Sequence, residues 1–153
     1  MLKICLVSDN HANMDCIQRI LNDNPDCDYY LHCGDACVPY EEMSPFACVK
    51  GNNDWDQDYP KERILEIGNY RILMIHGDGY TYFINRLAQK AIQEKCNVVF
   101  YGHTHMFDDR YIDGVRLINP GSCSYNRDFS SPCYARIIID DDNNMHVNKI
   151  ELK

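Results

Sequence analysis

Short apolar runs alternate with polar clusters along this chain, and the spacing inside each run predicts its structure. Residues 2 to 7 read as a mostly apolar strand, and Asn13 to Asn22 sets Met14, Ile17, Ile20 and Leu21 on one helical face. The chain therefore opens strand, polar loop, helix. Tyr29 to Cys33 and Ala47 to Val49 are apolar runs that stop at Gly34-Asp35 and Gly51-Asn52, the pattern of buried strands ending in polar loops, which suggests parallel pairing in this half. From Arg63 the pattern changes. Ile64 to Ile67 and Tyr70 to Ile75 flank Gly68-Asn69, a pair suited to a tight hairpin, and Asp113-Gly114 marks another. After Ser131-Pro132, a strand from Tyr134 to Ile139 and an alternating strand through Val147, Ile150 and Leu152 enclose the acidic turn Asp140 to Asn144. The second half is thus expected to pair adjacent strands antiparallel. Between these hairpins, Phe83 to Cys96 predicts a second helix with Phe83, Leu87, Ala88, Ala91 and Ile92 as its buried stripe, followed by a strand from Val98 to Tyr101.

Composition narrows the setting. At 153 residues the chain suits one domain, residues 1 to 153, and 45% hydrophobic with 25% charged residues is an ordinary globular mixture. The formal charge of -8 opposes broad binding to nucleic acid or to an anionic membrane surface. No signal peptide is evident at the start, and the apolar runs fall far short of the roughly 20 residues that span a bilayer. A soluble, cytoplasmic protein is expected. Nine cysteines form an odd count with no CxxC pair, so reduced thiols are expected rather than disulfides.

Five polar clusters each follow an apolar strand: Asp9-Asn10-His11, Gly34-Asp35, Gly51-Asn52-Asn53-Asp54, His76-Gly77-Asp78 and Gly102-His103-Thr104-His105. Binding groups collect at strand ends in sheets of this kind. In an extended segment residues i and i+2 face the same way, so Asp9 with His11, and His103 with His105, are expected to point paired ligands into one pocket. Carboxylate oxygen with imidazole nitrogen suits manganese, iron, zinc or nickel better than calcium. About seven ligands exceed one tetrahedral site and suffice for two ions. Taken singly, each residue reads as a capping Asp, a turn Asn or a satisfied core His; the joint pattern does not. His32, inside an apolar strand, and His146, in the acidic hairpin, read as structural or surface residues.

The order D-x-H, GD, GN-x-D, HG, GHTH, from Asp9 through His105, resembles the calcineurin-like metallophosphoesterases, and the compact length is similar to their small bacterial phosphodiesterase branch. Asn119-Pro120-Gly121-Ser122 is similar to a loop common in that branch. The resemblance implies an α/β (α+β) fold, a four-layer αββα sandwich of two mixed β-sheets flanked by helices. It implies that Asp9, His11, Asp35 and His105 hold one metal, that Asp35 bridges to a second, and that Asn52, His76 and His103 complete the second set. The implied cofactor is two divalent transition-metal ions, manganese foremost, with nickel, iron, zinc or magnesium as alternatives. Two such ions lower the pKa of a bridging water, which makes hydroxide the expected nucleophile. Asp54 is expected as an acceptor that fixes imidazole orientation.

The same resemblance implies a phosphodiesterase acting on a small-molecule phosphoester. Many larger relatives carry His immediately after the ligand Asn, where it protonates the leaving oxygen. Here that position is Asn53, whose amide donates a hydrogen bond but is no general acid near neutral pH. Aryl phosphodiesters are therefore expected to turn over better than alkyl phosphomonoesters. A second departure is Asp78, where branch members often have His. Arg127 is a candidate clamp for a phosphate oxygen, against a plain surface Arg, and Tyr125 and Phe129 are candidate stacking partners. Three other readings compete: a phosphomonoesterase or nucleotidase on the same site, a non-catalytic binding module like the phosphoesterase-like subunit of the retromer sorting complex, and a thiol-based redox or metal-storage role. For the last, only Cys33 and Cys37 flank a site residue, Asp35. An exposed strand edge leaves homo-oligomerisation open.

Overall fold

In β1 (Leu2–Val7), Ile4 and Leu6 face one side and Cys5 and Val7 the other, and all four are fully buried. A strand covered on both faces requires a layer on each side. The computed structural model, which describes residues 1–153, supplies those layers. One sheet has the order β10-β9-β1-β2-β3, with β2 at Tyr29–His32, β3 at Ala47–Cys48, β9 at Cys133–Ile139 and β10 at Met145–Glu151. The other has the order β4-β5-β6-β8-β7, with β4 at Glu62–Ile67, β5 at Tyr70–Ile75, β6 at Val98–Phe100, β7 at Phe107–Ile112 and β8 at Val115–Pro120.

Alternate residues sort into three cores. Ile4, Leu6, Leu31, Ala135 and Ile137 of the first sheet meet Ile72, Met74, Val98, Phe100 and Ile118 of the second. Cys5 and Val7 face outward onto Ile17 and Ile20 of α1 (Met14–Asp23). Leu73, Val99 and Leu117 face outward onto Leu87, Ala88 and Ala91 of α2 (Ile84–Gln93). The result is the expected αββα order. No helix is long and apolar enough to cross a membrane.

Two expectations change. β4–β5, β7–β8 and β9–β10 are antiparallel as read, but β5–β6 and β6–β8 are parallel, with α2 as the crossover from β5 to β6. The second helix is also shorter than the apolar stripe suggested. Lys95 adopts φ +60°, with Cys96 N donating to Ala91 O (2.8 Å) and Lys95 N to Ile92 O (3.0 Å), a Schellman stop made without the usual glycine. Phe83 is the N-cap residue rather than a core residue, and it and Ile92 are about half exposed.

Parallel pairing carries the functional consequence. β1, β2 and β3 run in one direction, as do β5, β6 and β8, so their C-terminal ends and the loops after them gather at one end of the sandwich. The hairpins at 68–69, 113–114 and 140–144 lie at the other, where Tyr70 Oη donates to Asn143 O.

Candidate metal centre

Asp9 leaves the end of β1 and is completely buried. Its Oδ2 accepts from Ser8 Oγ (2.5 Å) and His103 N (3.0 Å). Its Oδ1 has no hydrogen-bond partner, the sole buried side-chain polar atom so placed. An orphaned carboxylate oxygen in a protein interior is costly unless something positive meets it. Three imidazole nitrogens surround it: His105 Nε2 at 3.3 Å, His11 Nε2 at 3.8 Å and His76 Nε2 at 3.9 Å. Asp35, after β2, brings Oδ2 within 3.3 Å of His76 Nε2 and 3.8 Å of His11 Nε2. Asn52 Oδ1 lies 3.0 Å from His76 Nε2 and 3.2 Å from His103 Nδ1. All seven expected ligand residues meet in one basin, with Asp9, Asp35, His76 and His105 as its buried floor and His11, Asn52 and His103 at its open face.

The donor atoms fit cations. Asp9, His11 and His105 offer one set of ligand atoms within 4.8 Å of one another, and Asp9, Asp35 and His76 a second. His76 Nδ1 donates to Cys33 O (2.8 Å) and His105 Nδ1 to Tyr125 O (2.9 Å). Each ring is thereby oriented with Nε2 turned toward the acids, the arrangement by which carbonyls fix metal-binding imidazoles. Burial alone would depress the His76 imidazole, but the Asp35 hydrogen bond and the charges of Asp9 and Asp35 outweigh it and push it up to about 9. Burial likewise acts to raise Asp9 and Asp35. The His105 imidazole 3.3 Å from Oδ1 and the charge of His76 hold Asp9 below the usual carboxylate range, and His76 with the Asn53 donors does the same for Asp35. The floor stays anionic.

The convergence does not arise from pleated strands, as the i, i+2 argument expected. Asp9, His11, His103 and His105 all adopt left-handed backbone, with φ of 57°, 45°, 71° and 58°. The chain turns sharply after each strand, and the turns aim the paired side chains into one basin. Close approach helps: a Cβ at Gly102 would lie 2.6 Å from Asp9 Oδ2, and one at Gly51 would overlap the Asp35 carboxylate.

Asp54 orients backbone rather than imidazole. Its Oδ2 accepts from Asp35 N (2.9 Å) and Gly51 N (2.7 Å), and its Oδ1 from Cys37 N (2.8 Å), so one buried carboxylate ties the loop after β2 to the loop after β3. Asn53 donates from N to Asp35 Oδ1 (2.8 Å) and from Nδ2 to Asp35 Oδ2 (2.9 Å). Its amide therefore grips Asp35 instead of standing free for a leaving group. Arg127 is exposed at the rim, with Nη1 3.4 Å from His103 O and its backbone N donating to His105 O (3.1 Å). The Tyr125 ring packs edge-on to His105 at 5.5 Å, while Phe129 is fully exposed.

Several supporting residues escaped the sequence reading. His32 is buried, as its strand setting suggested, but it also holds the site: Nε2 pairs with Asn10 Oδ1 (2.8 Å) and Nδ1 accepts from Gly34 N (3.0 Å). Ser122 Oγ donates to Asp9 O (2.8 Å), and Asn119 Nδ2 to Gly102 O (3.0 Å) and Thr104 Oγ1 (2.9 Å). The resemblance flagged that loop without its role; Ser8 and Asn10 carried no signal beyond lying beside Asp9. His146 is exposed and pairs with Asp140 (2.8 Å). All nine cysteines are free. Cys33 is buried with its thiol raised far above its ordinary range by burial, and burial, with the charges of Asp35 and Asp54, pushes Cys37 up to about 11. These are poor nucleophiles near neutral pH.

Comparison with known proteins fits this geometry. Residues 2–142 match the calcineurin-like phosphoesterase superfamily domain. The chain belongs to that superfamily. A phosphodiesterase of Methanocaldococcus jannaschii is 28% identical over 141 residues, covering 80% of this chain and 84% of the relative. A predicted phosphoesterase of Streptococcus pneumoniae superposes with a TM-score of 0.83 at 24% identity, covering 99% of this chain and 98% of the other. A single mutant of Vps29 from Entamoeba histolytica superposes at 0.77 with 20% identity, covering 99% and 100%. At those identities the two structures show the fold alone.

Proposed function

We propose that this chain is a phosphodiesterase working with two divalent transition-metal ions, manganese foremost. Asp9, His11, Asp35 and His105 would hold one ion, and Asp35, Asn52, His76 and His103 the other. The observation that carries the reading is Asp9 Oδ1, buried, unpartnered and faced by three imidazole nitrogens. Such ions supply an activated water and positive charge for phosphoryl oxygens. The chain's own residues account for the rest. Asp54 and Asn53 keep Asp35 in place, His76 and His105 are locked by backbone carbonyls, and Arg127 stands at the rim as a donor for a non-bridging oxygen. Cys37 Sγ lies 3.7 Å from His11 Nδ1, but burial and the charges of Asp35 and Asp54 push its thiol up to about 11, so it is no activated nucleophile, which favours direct attack by water.

The diester preference rests on position 53. With Asn53 turned onto Asp35, no protonatable side chain replaces the leaving-group acid of larger relatives, so aryl diesters should outpace alkyl monoesters. The test is elemental analysis of the purified protein, together with turnover of bis(p-nitrophenyl) phosphate and of alkyl and aryl monoesters under manganese, nickel, zinc and magnesium. Two ions per chain with diesterase activity are expected. Equal rates on alkyl monoesters would remove the diester assignment. Protein that binds no transition metal and cleaves nothing would favour the binding-module reading.

A further inference from the structure

A recess of about 540 Å³ opens beside the candidate metal centre, with Asn52 and His76 in its wall. Lys50, Lys61 and Lys90 also line it, together with Ile75 and Tyr80. We propose that this recess is a substrate subsite for a second phosphate, carried on one arm of the diester whose scissile phosphorus sits over Asp35, Asn52 and His76. The inference rests on the phosphodiesterase reading and adds a substrate class to it.

Charge carries the argument. The chain is net -8, yet three of its 15 Lys and Arg line this one recess, against two carboxylates, Glu62 and Asp78. Glu62 is already engaged by Lys90 at 3.2 Å. Lys50 Nζ donates only to the neutral amide oxygen of Gln57 (3.2 Å), and Lys61 is exposed with no side-chain partner. Two ammonium groups are thus left without an ion pair next to a centre that receives phosphate. The adjoining depression past Tyr80 and Lys90 adds Arg86 and no acid. A lone phosphate would leave most of the recess empty, since pockets of about 300 to 1,000 Å³ hold whole small ligands. Ile75 and the Tyr80 ring offer an apolar wall for a linker such as a sugar. A second phosphate in the recess gains charge-assisted bonds from Lys50 and Lys61, which otherwise have no anionic partner.

The test compares three chromogenic diesters on the manganese-loaded protein: the p-nitrophenyl ester of thymidine 5′-phosphate, the same ester bearing a 3′-phosphate, and the p-nitrophenyl ester of thymidine 5′-diphosphate. The second places its extra phosphate across a sugar and the third in a pyrophosphate, so the two sources of the same chemistry are told apart. At least one is expected to exceed the first by about tenfold in kcat/KM, the effect of one or two charge-assisted hydrogen bonds. The Lys50→Ala, Lys61→Ala double variant should erase that ratio and Lys61→Glu should invert it, whereas Lys153→Ala at the exposed C-terminus should keep it. Equal kcat/KM on all three esters in the parent protein, or a ratio surviving in the double variant, overturns the subsite while leaving the diesterase standing. If no ester is cleaved under any ion, the diesterase reading fails, and calorimetric binding of thymidine 3′,5′-bisphosphate decides the subsite separately. Binding lost in the double variant supports it, and binding absent or unchanged overturns it.

Discussion

Both ends of the sandwich reverse the chain with left-handed backbone, but they stabilise it by different means. At the hairpin end the positions are Gly68, Asp113, Gly114 and Asn143, residues that tolerate this conformation through a missing Cβ or a short polar side chain. These turns are mostly exposed, with a distant tie at Asn143, which accepts from Asn69 N and Tyr70 Oη. At the metal end eight non-glycine residues share the conformation: Asp9, His11, Ala12, Asp35, Cys37, His103, His105 and, in the exposed loop after β8, Phe129. For residues such as Ala and His it costs about 1 kcal/mol or more each. The compensation comes from distant backbone, since Asp9 N donates to Gly34 O (3.0 Å), His11 N to Asp35 O (3.0 Å) and Ala12 N to Ala36 O (2.8 Å), and from the buried acceptor Asp54. A hairpin turn therefore rests chiefly on residues suited to the conformation, and a metal-end turn on the whole fold.

Substitutions break that contrast in order of effect. Asp9→Asn keeps the shape and the Oδ2 hydrogen bonds but removes the buried charge, so activity should fall by at least about a thousandfold and bound metal should be lost. Its apo-protein should melt lower than the parent apo-protein near neutral pH, because a carboxylate that the fold holds below its usual range, and that helps raise His76, has lost its charge. Retained metal and activity would show that Oδ1 is not a ligand. Asp54→Ala strips the acceptor from three backbone N–H groups, two of them buried, and should destabilise by about 4 kcal/mol, given roughly 1.5 to 3 kcal/mol per bond to a charged partner and incomplete additivity. Metal affinity should fall by about 10- to 100-fold with it. The hairpin counterpart, Asp140→Ala, also removes an acceptor of two backbone N–H groups, from Asp142 and Asn144, but in solvent, and its melting shift should be far smaller. Comparable shifts in denaturant titrations would refute the distinction.

What the sequence made legible follows the same division. Two-sided burial writes itself into continuous apolar runs, so most strands are legible in the sequence, whereas the layer order is legible only through the resemblance to the metallophosphoesterases. The basin was legible because the proposed ligand residues follow those runs. Its geometry was not: the left-handed positions His11, His103 and His105 are not glycines, and their conformation is imposed by partners far along the chain. The end of α2 at Lys95 escaped for the same reason. Asn53 read as a substitute for an acid, and its grip on Asp35 depends on a contact 18 residues away. Asp54 read as an imidazole partner, because a sequence shows carboxylates and histidines but not which backbone N–H groups need an acceptor.

Glycines sharpen the comparison with the smallest chemical change, one methyl group. At Gly51 a Cβ would collide with the Asp35 side chain and its backbone N at the point where Asp54 and Asn53 already crowd the same residue. Gly51→Ala should therefore destabilise by about 2 to 3 kcal/mol through overpacking and should weaken metal binding by displacing a ligand. At Gly114 a Cβ meets nothing within 4 Å, and the only penalty is the positive φ of 80°. Gly114→Ala should cost about 1 kcal/mol with bound metal and turnover unchanged. Denaturant melts read the first quantity, and metal content read beside them separates the two ends: stability lost at both glycines, metal lost only at Gly51. A Gly114→Ala protein that also sheds metal would mean that hairpin turns feed strain into the site, and the division between local and global turns would fail.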